Sequence, residues 1–506
     1  MMEEKAMINV KRKSAMAFLA AALASINMSW AGAEPVIADN EAELLAAPYY
    51  NMDLANPADR HSGYNPALTL VNPVQNQGIF GTCWAFATVA AVESNVYKHM
   101  QAEGIAYNVK ENPVKYSPWA LAWLKSAPPT SFDMSDDRLR PSVPDAAQYM
   151  VPFANKVYKS GWSNFDIEFS TALGIGLQRM NINDRTALIA PADYVAEDVH
   201  LENYFMANNL NEPENIQRTK KMLLEYGAAI ISIAADNMIQ KDVVDFYNSK
   251  PAEANHAVTL IGWDDEYDFS RSGMRVPPKS KGAWIVRNSW GADWGDKGDC
   301  YLSYEDKGIR GVISLDMNLD TDCFDYIATH EDTYDGEKYG MSMIVHEVDL
   351  PGDAAFASSY TAKGNDVIKA VGVYAAGDSM SYTIKVYKDC REVPVDGRKP
   401  DYEQQGTFGQ DGTPAWAGYR TIELAQPVTL TEGQAYTVEM SLVDNDGKAR
   451  FMVAADAGDI DVEKVTSYIN EGNGKWEKVF NKQAGYKHKI FKIASVIQRI
   501  YLKHQG

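Results

Sequence analysis

The stretch Gln75–Phe86, QNQGIFGTCWAF, places a cysteine where a glycine-containing loop meets an apolar helical pattern. Beyond Cys83, apolar residues recur at one-face helical spacing: Ala85, Val89, Val92 and Val96. Thr82 is a suitable N-cap, so we expect the helix to start at Cys83. The N-terminus of a helix favours a negative charge. Cys83 is therefore a candidate nucleophile, with a structural thiol and half of a disulfide as the alternatives.

Two later apolar runs are bounded by polar side chains that a cysteine nucleophile requires. Such a nucleophile needs a base, a group that orients the base, and donors aimed at the oxyanion. His256 opens the run HAVTLIG and Asn288 follows the run AWIVR, and both runs indicate buried strands. Gln77, together with the backbone N–H of Cys83, is a candidate oxyanion donor. Taken singly, each of these residues also has an ordinary structural interpretation.

The composition excludes some classes of function. The chain has 506 residues, 46% hydrophobic and 23% charged, which is typical of a globular protein of two or three domains. A net charge of −20 argues against a nucleic-acid partner, because such a partner requires clustered Lys and Arg. We expect no cofactor and no metal.

The amino terminus has the features of a secretory signal peptide. A basic group at 11–13 precedes the apolar run Ala15–Ile26, and Ala31–Ala33 offers a small-residue cleavage site. The run of about 12 apolar residues is shorter than the roughly 20 that span a bilayer. We therefore expect a secreted protein, extracellular or periplasmic, without a membrane span.

Three segments in the order Cys, His, Asn resemble the signature blocks of papain-like cysteine peptidases, the papain and cathepsin family. They are QNQGIFGTCWAF, the segment NHAV at Asn255–Val258, and the segment NSWG at Asn288–Gly291. The resemblance implies an α+β fold, with a helical lobe and a β-rich lobe that form a peptidase. It also implies a polypeptide substrate, attacked at a carbonyl to give a thioester that water hydrolyses.

The resemblance implies a role for each matching residue. Cys83 is the nucleophile, His256 is its acid and base, and Asn288 orients His256. Protonated His256 would hold the cysteine as a thiolate. Gln77 donates to the oxyanion, and Trp290 shields the hydrogen bond between histidine and asparagine from water.

The substrate-binding positions follow the family pattern less closely. Gly161 and Asn255 are the candidate substrate-binding residues, although the usual Gly-Gly is reduced here to Ser-Gly. Phe80 stands where the family has a cysteine paired in a disulfide, so the loop needs another source of rigidity. The insertion Asp264–Lys281 is expected to form a surface loop that can trim the cleft.

The pattern along the chain predicts five segments. Residues 1–33 are the signal peptide, and 34–60 is a short leader or propeptide-like segment. The papain-like domain covers 61–322 and a linker covers 323–339. In 340–506, polar and apolar residues alternate between turn signals, which predicts an antiparallel β-sandwich. This last segment resembles the lectin-like domain that follows the peptidase in some secreted prokaryotic papain-like proteins.

The C-terminal domain has two interpretations. Trp416, Tyr419 and Trp476 can stack on sugars, so a glycan or cell-surface ligand is one interpretation. Membership of the sandwich core is the other interpretation, and the commoner one for such residues. The segment Asp444–Gly447 has part of a calcium-loop pattern but lacks the downstream Glu, so we expect a hairpin turn there.

Two further functions fit part of the pattern. The first is a binding protein or adhesin on an inactive peptidase scaffold, which is disfavoured because all four candidate catalytic residues are present. The second is acyl transfer of the transglutaminase type through the same thioester. That family generally orients its histidine with Asp, whereas this chain has Asn288.

Overall fold

The computed structural model describes residues 41–53, 69–78, 82–109, 113–116, 118, 199–236, 238, 244–252, 254–319, 324, 326–329, 344–393, 398–410, 414–456, 466–479, 483–486, 489–496 and 498–505. These residues form two compact units. The first extends to Leu319 without Glu202–Met206, and the second consists of Glu202–Met206 and the residues after 319. The predicted signal peptide, Phe80 and Gly161 lie outside the described residues.

The first unit packs helices against an antiparallel sheet. Its helices are α1 (Glu41–Ala46), α2 (Cys83–Ala102), α3 (Pro213–Tyr226) and a 3-10 helix (Phe269–Arg271). Its strands are β1 (Tyr49–Asn51), part of β2 (His200–Ala207), β3 (Ala229–Ile233), β4 (Asp245–Phe246), β5 (His256–Asp264), β6 (Ala283–Arg287), β7 (Asp299–Ser303) and β8 (Gly311–Asn318). Six of them lie in the order β8-β3-β5-β6-β7-β4. The predicted helix and the two predicted buried strands are confirmed.

The antiparallel pairing of β5 with β6 brings the candidate catalytic residues at the start of β5 and after the end of β6 to one edge of the sheet. Asp264 pairs with Ala283, so the start of β5 and the end of β6 are neighbours. His256 and Asn288 lie at this edge. The insertion Asp264–Lys281 joins the other ends of β5 and β6. The length of β5 separates it from His256, which is about 26 Å at roughly 3.3 Å a residue. The expectation that this loop trims the cleft is therefore wrong.

Residues 41–53 are built into the first unit. β1 pairs with β5, where Tyr50 lies opposite Trp263 and their ring centroids are 4.8 Å apart. Gly262 permits this approach, because a Cβ there would lie 2.1 Å from the Tyr50 carbonyl oxygen. β1 thus extends the pairing of the buried strand β5, and the leader or propeptide-like role of 34–60 stays a prediction.

The second unit is an antiparallel β-sandwich, as predicted. Its strands after β2 are β9 (Tyr326–Thr329), β10 (Ile344–Pro351), β11 (Ala355–Thr361), β12 (Asp366–Ala375), β13 (Ser381–Lys388), β14 (Tyr402–Thr407), β15 (Gly418–Thr429), β16 (Ala435–Val443), β17 (Lys448–Asp456), β18 (Ser467–Asn470), β19 (Trp476–Lys478), β20 (Gln483–Tyr486), β21 (Lys489–Val496) and β22 (Gln498–His504). The smaller sheet has the order β15-β12-β22-β9, and the larger contains β19-β18-β11-β16-β17-β21-β20 with β10, β13 and β14. Apolar side chains from both sheets, among them Val371, Ile500, Ile384 and Val438, form one core.

Three details of this unit concern positions that the sequence analysis singled out. The predicted linker 323–339 contains β9, which pairs with β22. Tyr419 is fully buried and packs against Tyr374, outside the apolar core between the two sheets, so its ring is not exposed for stacking on a sugar. Asp444–Gly447 forms a turn between β16 and β17 in which Asp444 accepts the N–H of Lys448 at 2.9 Å, so the predicted hairpin is confirmed. In the described part of the chain, no helix is long and apolar enough to cross a membrane.

Candidate active site

Cys83 is the first residue of α2, and its side chain is half-buried. Thr82 holds the N-cap position, where its carbonyl oxygen accepts the N–H of Ala85 at 2.9 Å and of Phe86 at 3.2 Å. The Thr82 hydroxyl makes no capping hydrogen bond to the described residues, which corrects the predicted side-chain cap. The helix start itself is where the sequence predicts it. Cys83 therefore lies in the first turn of a helix, where the unpaired N–H groups and the macrodipole favour a negative charge.

His256 and Asn288 form a buried hydrogen-bonded pair, with 2.9 Å between His256 Nε2 and Asn288 Oδ1. The N–H of Ser289 donates to the same oxygen at 2.8 Å. Because Oδ1 accepts, His256 carries a proton on Nε2, and its Nδ1 is the nitrogen that can act as a base. Burial lowers the pKa of His256, and the hydrogen bond to Asn288 opposes this effect. A protonated His256 therefore depends on a nearby negative charge.

Trp290 covers the histidine ring. The two rings are stacked, with centroids 4.9 Å apart and an interplanar angle of 28°. Trp294 packs edge-on against Trp290 at 5.3 Å, and its Nε1 donates to the carbonyl oxygen of Met238 at 3.2 Å. This arrangement covers one face of the His256 ring, and the shielding of the hydrogen bond between His256 and Asn288 by Trp290 stays a prediction.

The loop that carries Gln77 is hydrogen-bonded to the segment that follows Asn288. Gln77 N–H donates to the carbonyl oxygen of Ser289 at 2.7 Å, and Gly291 N–H donates to that of Gln75 at 3.0 Å. These backbone bonds supply the rigidity that the sequence leaves unexplained.

The side chain of Gln77 is oriented by Ser289. The Ser289 hydroxyl donates to Gln77 Oε1, so the amide nitrogen of Gln77 lies on the side away from Ser289. Gln77 is buried, which limits other orientations of its amide. Sequence reasoning missed this role of Ser289, although the residue stands inside the motif NSWG.

Arg287 anchors the strand end before Asn288. It is buried and donates to both carboxylate oxygens of Asp299, at 2.8 and 2.9 Å. It also donates to the carbonyl oxygen of Asn72 at 2.8 Å and to the carboxylate of Asp53. One cation thus joins β6, β7 and two N-terminal segments. Its only signal in the sequence is a charged residue inside an apolar run.

The remaining candidate residues are placed differently. Asn255 Nδ2 donates to Asp236 Oδ1 at 2.6 Å, and Asn255 Oδ1 accepts the N–H of Ala235 at 2.8 Å. The Asn255 side chain therefore fixes the turn after β3, and its contact with substrate stays a prediction. So does that of Gly161, which is outside the described residues. Cys83, Cys300 and Cys390 are free thiols.

Comparison with known families gives the same order of domains. The papain family cysteine protease model matches residues 62–111 and 195–315, and the lectin like domain model matches 333–490. The chain belongs to the papain family of cysteine proteases. It joins this peptidase to a lectin-like domain.

Individual relatives of this family member are distant. The chain is 27% identical to zingipain-2 of Zingiber officinale over 45% of its own length and 80% of that protein. It is 25% identical to ananain of Ananas comosus, over 56% of its own length and 64% of the relative. It is 23% identical to cathepsin J of Mus musculus, over 51% of its own length and 62% of that protein. The chain thus spans a little under two thirds of the last two relatives.

Two solved structures are similar in fold over most of this chain. One is the clostridial cysteine protease Cwp84 after propeptide cleavage, with a TM-score of 0.56, 18% identity, and coverage of 87% of this chain and 99% of that chain. The other holds the cysteine protease and lectin-like domains of Cwp84, a surface layer associated protein of Clostridium difficile. Its TM-score is 0.57 and its identity is 18%, and the match covers 88% of this chain and 90% of that chain. At this identity the likeness shows the fold alone.

Proposed function

We propose that Cys83, His256, Asn288 and Gln77 cleave peptide bonds in polypeptide substrates through a thioester. The hydrogen bond between His256 Nε2 and Asn288 Oδ1 carries the proposal, because it leaves Nδ1 as the reactive nitrogen. The helix that begins at Cys83 packs against β5, the strand that begins at His256.

The reaction starts after His256 Nδ1 has taken the proton of the Cys83 thiol, so that a thiolate faces a protonated His256. The Cys83 thiolate attacks the substrate carbonyl carbon, and the C=O electron pair moves to oxygen. His256 gives its Nδ1 proton to the leaving amine as the C–N bond breaks, which leaves a thioester on Cys83. Water then gives a proton to His256 and attacks the thioester, which releases the acid product and restores the thiolate.

The oxyanion receives hydrogen bonds from the Gln77 amide and the Cys83 N–H. Removing one oxyanion donor costs about 10² to 10³ in kcat in a serine peptidase that uses the same kind of donor. The bond from Ser289 supports this role, because it directs the amide nitrogen of Gln77 away from Ser289.

The catalytic proposal is tested with an epoxide label selective for papain-like thiols and with casein as substrate. We expect an adduct on Cys83, and cleavage that is lost in Cys83→Ala. Cys390→Ala, which removes a buried thiol of the second unit, is the matched control and should cleave like the parent. An absent adduct on Cys83, together with equal cleavage by the parent and Cys83→Ala, would contradict the proposal.

We further propose that the protein is secreted and that its lectin-like unit binds a glycan at a cell surface. The signal-peptide pattern of residues 1–33 and the match to the lectin-like family support this proposal. The full chain carrying Cys83→Ala, applied to a glycan array, should bind a defined group of sugars. Silence across the array would favour a structural role for this unit.

The mature chain is proposed to retain residues 41–53, because β1 is part of the peptidase sheet. Amino-terminal sequencing of the secreted protein should therefore find a start before residue 41, or a fragment 41–53 that remains bound. Loss of this segment from an active enzyme would contradict the proposal.

A further inference from the structure

A partly open cavity of about 30 Å³ lies between α2 and the strand ends that carry the candidate catalytic residues. Its polar lining includes Asn72, Glu93, Thr259, Arg287, Asn288 and Ser289. A cavity needs about 10 to 15 Å³ to hold a water molecule, so this one has room for one or two.

Two buried polar atoms of this lining have no partner among the described residues. Glu93 is fully buried, and its Oε1 accepts the N–H of Tyr116 at 2.8 Å, but its Oε2 has no partner with hydrogen-bond geometry among the described residues. Asn288 uses its Oδ1 for His256 and Ser289, while its Nδ2 has no acceptor in the part of the chain that the structure describes. A buried polar group without a partner costs about 1 to 3 kcal/mol, so two on one cavity require an explanation.

The protonation of Glu93 suits a shared water. Burial raises its pKa to about 8, although the N–H of Tyr116, the side chain of Asn72 and the charge of Lys115 lower it. At neutral pH the group is therefore mostly a carboxylic acid, whose O–H is a donor. A water oxygen accepts two hydrogen bonds, one from this O–H and one from Asn288 Nδ2, and can donate to the Thr259 hydroxyl.

We propose that an internal water in this cavity joins the Glu93 carboxyl to the Asn288 amide, and that Glu93 is a positioning residue for His256. The inference rests on the proposed function of His256 and Asn288. With Nδ2 held by the water, the Asn288 amide cannot rotate to place its nitrogen against the protonated Nε2 of His256. Glu93 thus acts through Asn288 and does not touch the substrate.

Two substitutions of similar size separate this role from packing. Glu93→Gln keeps an acceptor and a donor, so kcat should stay within about twofold. Glu93→Met keeps the volume but removes both polar atoms. A hydrogen bond is worth about 0.5 to 1.5 kcal/mol, so its kcat should fall roughly 2- to 13-fold, with KM unchanged. Ser314→Ala, which removes a buried hydroxyl from β8 outside the cavity, is the control and should leave kcat unchanged.

A structural readout keeps the inference separate from the proposed function. In the Cys83→Ala background, the ¹⁵N NMR shift of His256 Nε2 should change in Glu93→Met and not in Glu93→Gln. A high-resolution crystal structure of Cys83→Ala should show a water within hydrogen-bond distance of Glu93 Oε2 and Asn288 Nδ2. A cavity without this water, or an unchanged His256 shift in Glu93→Met, would overturn the inference. Absent peptidase activity in the parent would instead refute the proposed function.

Discussion

Replacing Glu93 by Gln should remove a pH dependence from the stability of the peptidase unit. Glu93 has a pKa of about 8 when folded and 4.5 when exposed, because burial disfavours its carboxylate. Between pH 4.5 and about 8, Glu93 therefore binds more protons in the folded protein than in the unfolded protein. The resulting stability is complete below pH 4.5 and is lost as the pH rises through about 8. At about 1.36 kcal/mol per pKa unit, the loss approaches 5 kcal/mol.

The assay is urea unfolding of Cys83→Ala with and without Glu93→Gln, followed by tryptophan fluorescence from pH 4.5 to 9. The Cys83→Ala background prevents self-digestion. Relative to its parent, the Gln variant should gain stability as the pH rises, with a slope of about 1.36 kcal/mol per pH unit inside the window. The groups facing Glu93, namely Tyr97, Tyr116, Asn72 and Lys115, are the same in both proteins. Parallel stability curves would refute the reasoning.

Three further predictions concern the site itself. Ser289→Ala should lower kcat roughly 2- to 13-fold with little change in KM, because Gln77 loses a hydrogen bond that orients its amide; an unchanged kcat in steady-state assays would contradict this. Arg287→Met should cost about 3 to 5 kcal/mol of unfolding free energy, since it leaves two buried carboxylates unpaired. Urea midpoints measure this effect, and a neutral outcome would mean that the carboxylates become protonated at little cost. In Cys83→Ala, NMR titration should find the pKa of His256 below its ordinary value of 6.5, because burial lowers it and no thiolate is present; a higher value would show that burial does not dominate.

The sequence predicts most of the secondary structure that carries the candidate active site, because the signals for these elements are local. The helix start at Cys83 and the strands that bear His256 and Asn288 follow from spacing and from apolar runs. The sandwich follows from alternation of polar and apolar residues in strands such as β13 and β16. Each of these patterns lies within about a dozen consecutive residues.

Contacts between distant segments could not be predicted in this way. The bond from Ser289 to Gln77 joins residues 212 positions apart, and the pairing of Tyr50 with Trp263 depends on a glycine that no periodicity identifies. The cavity behind Asn288 is likewise a product of packing. Its one sequence signal is Glu93, a charged residue on the apolar face of α2.

The position of the insertion between β5 and β6 has a practical consequence for studying the enzyme in its natural setting. Gly273 has a φ of 73°, and a Cβ there would meet nothing within 4 Å, while Val276 is 58% exposed. An epitope or a fluorophore placed between these two residues would be accessible to antibodies or light. Gly282 should be kept, because a Cβ there would lie 2.5 Å from the Tyr304 ring. A tag at this position would leave unaltered the edge of the sheet where His256 lies.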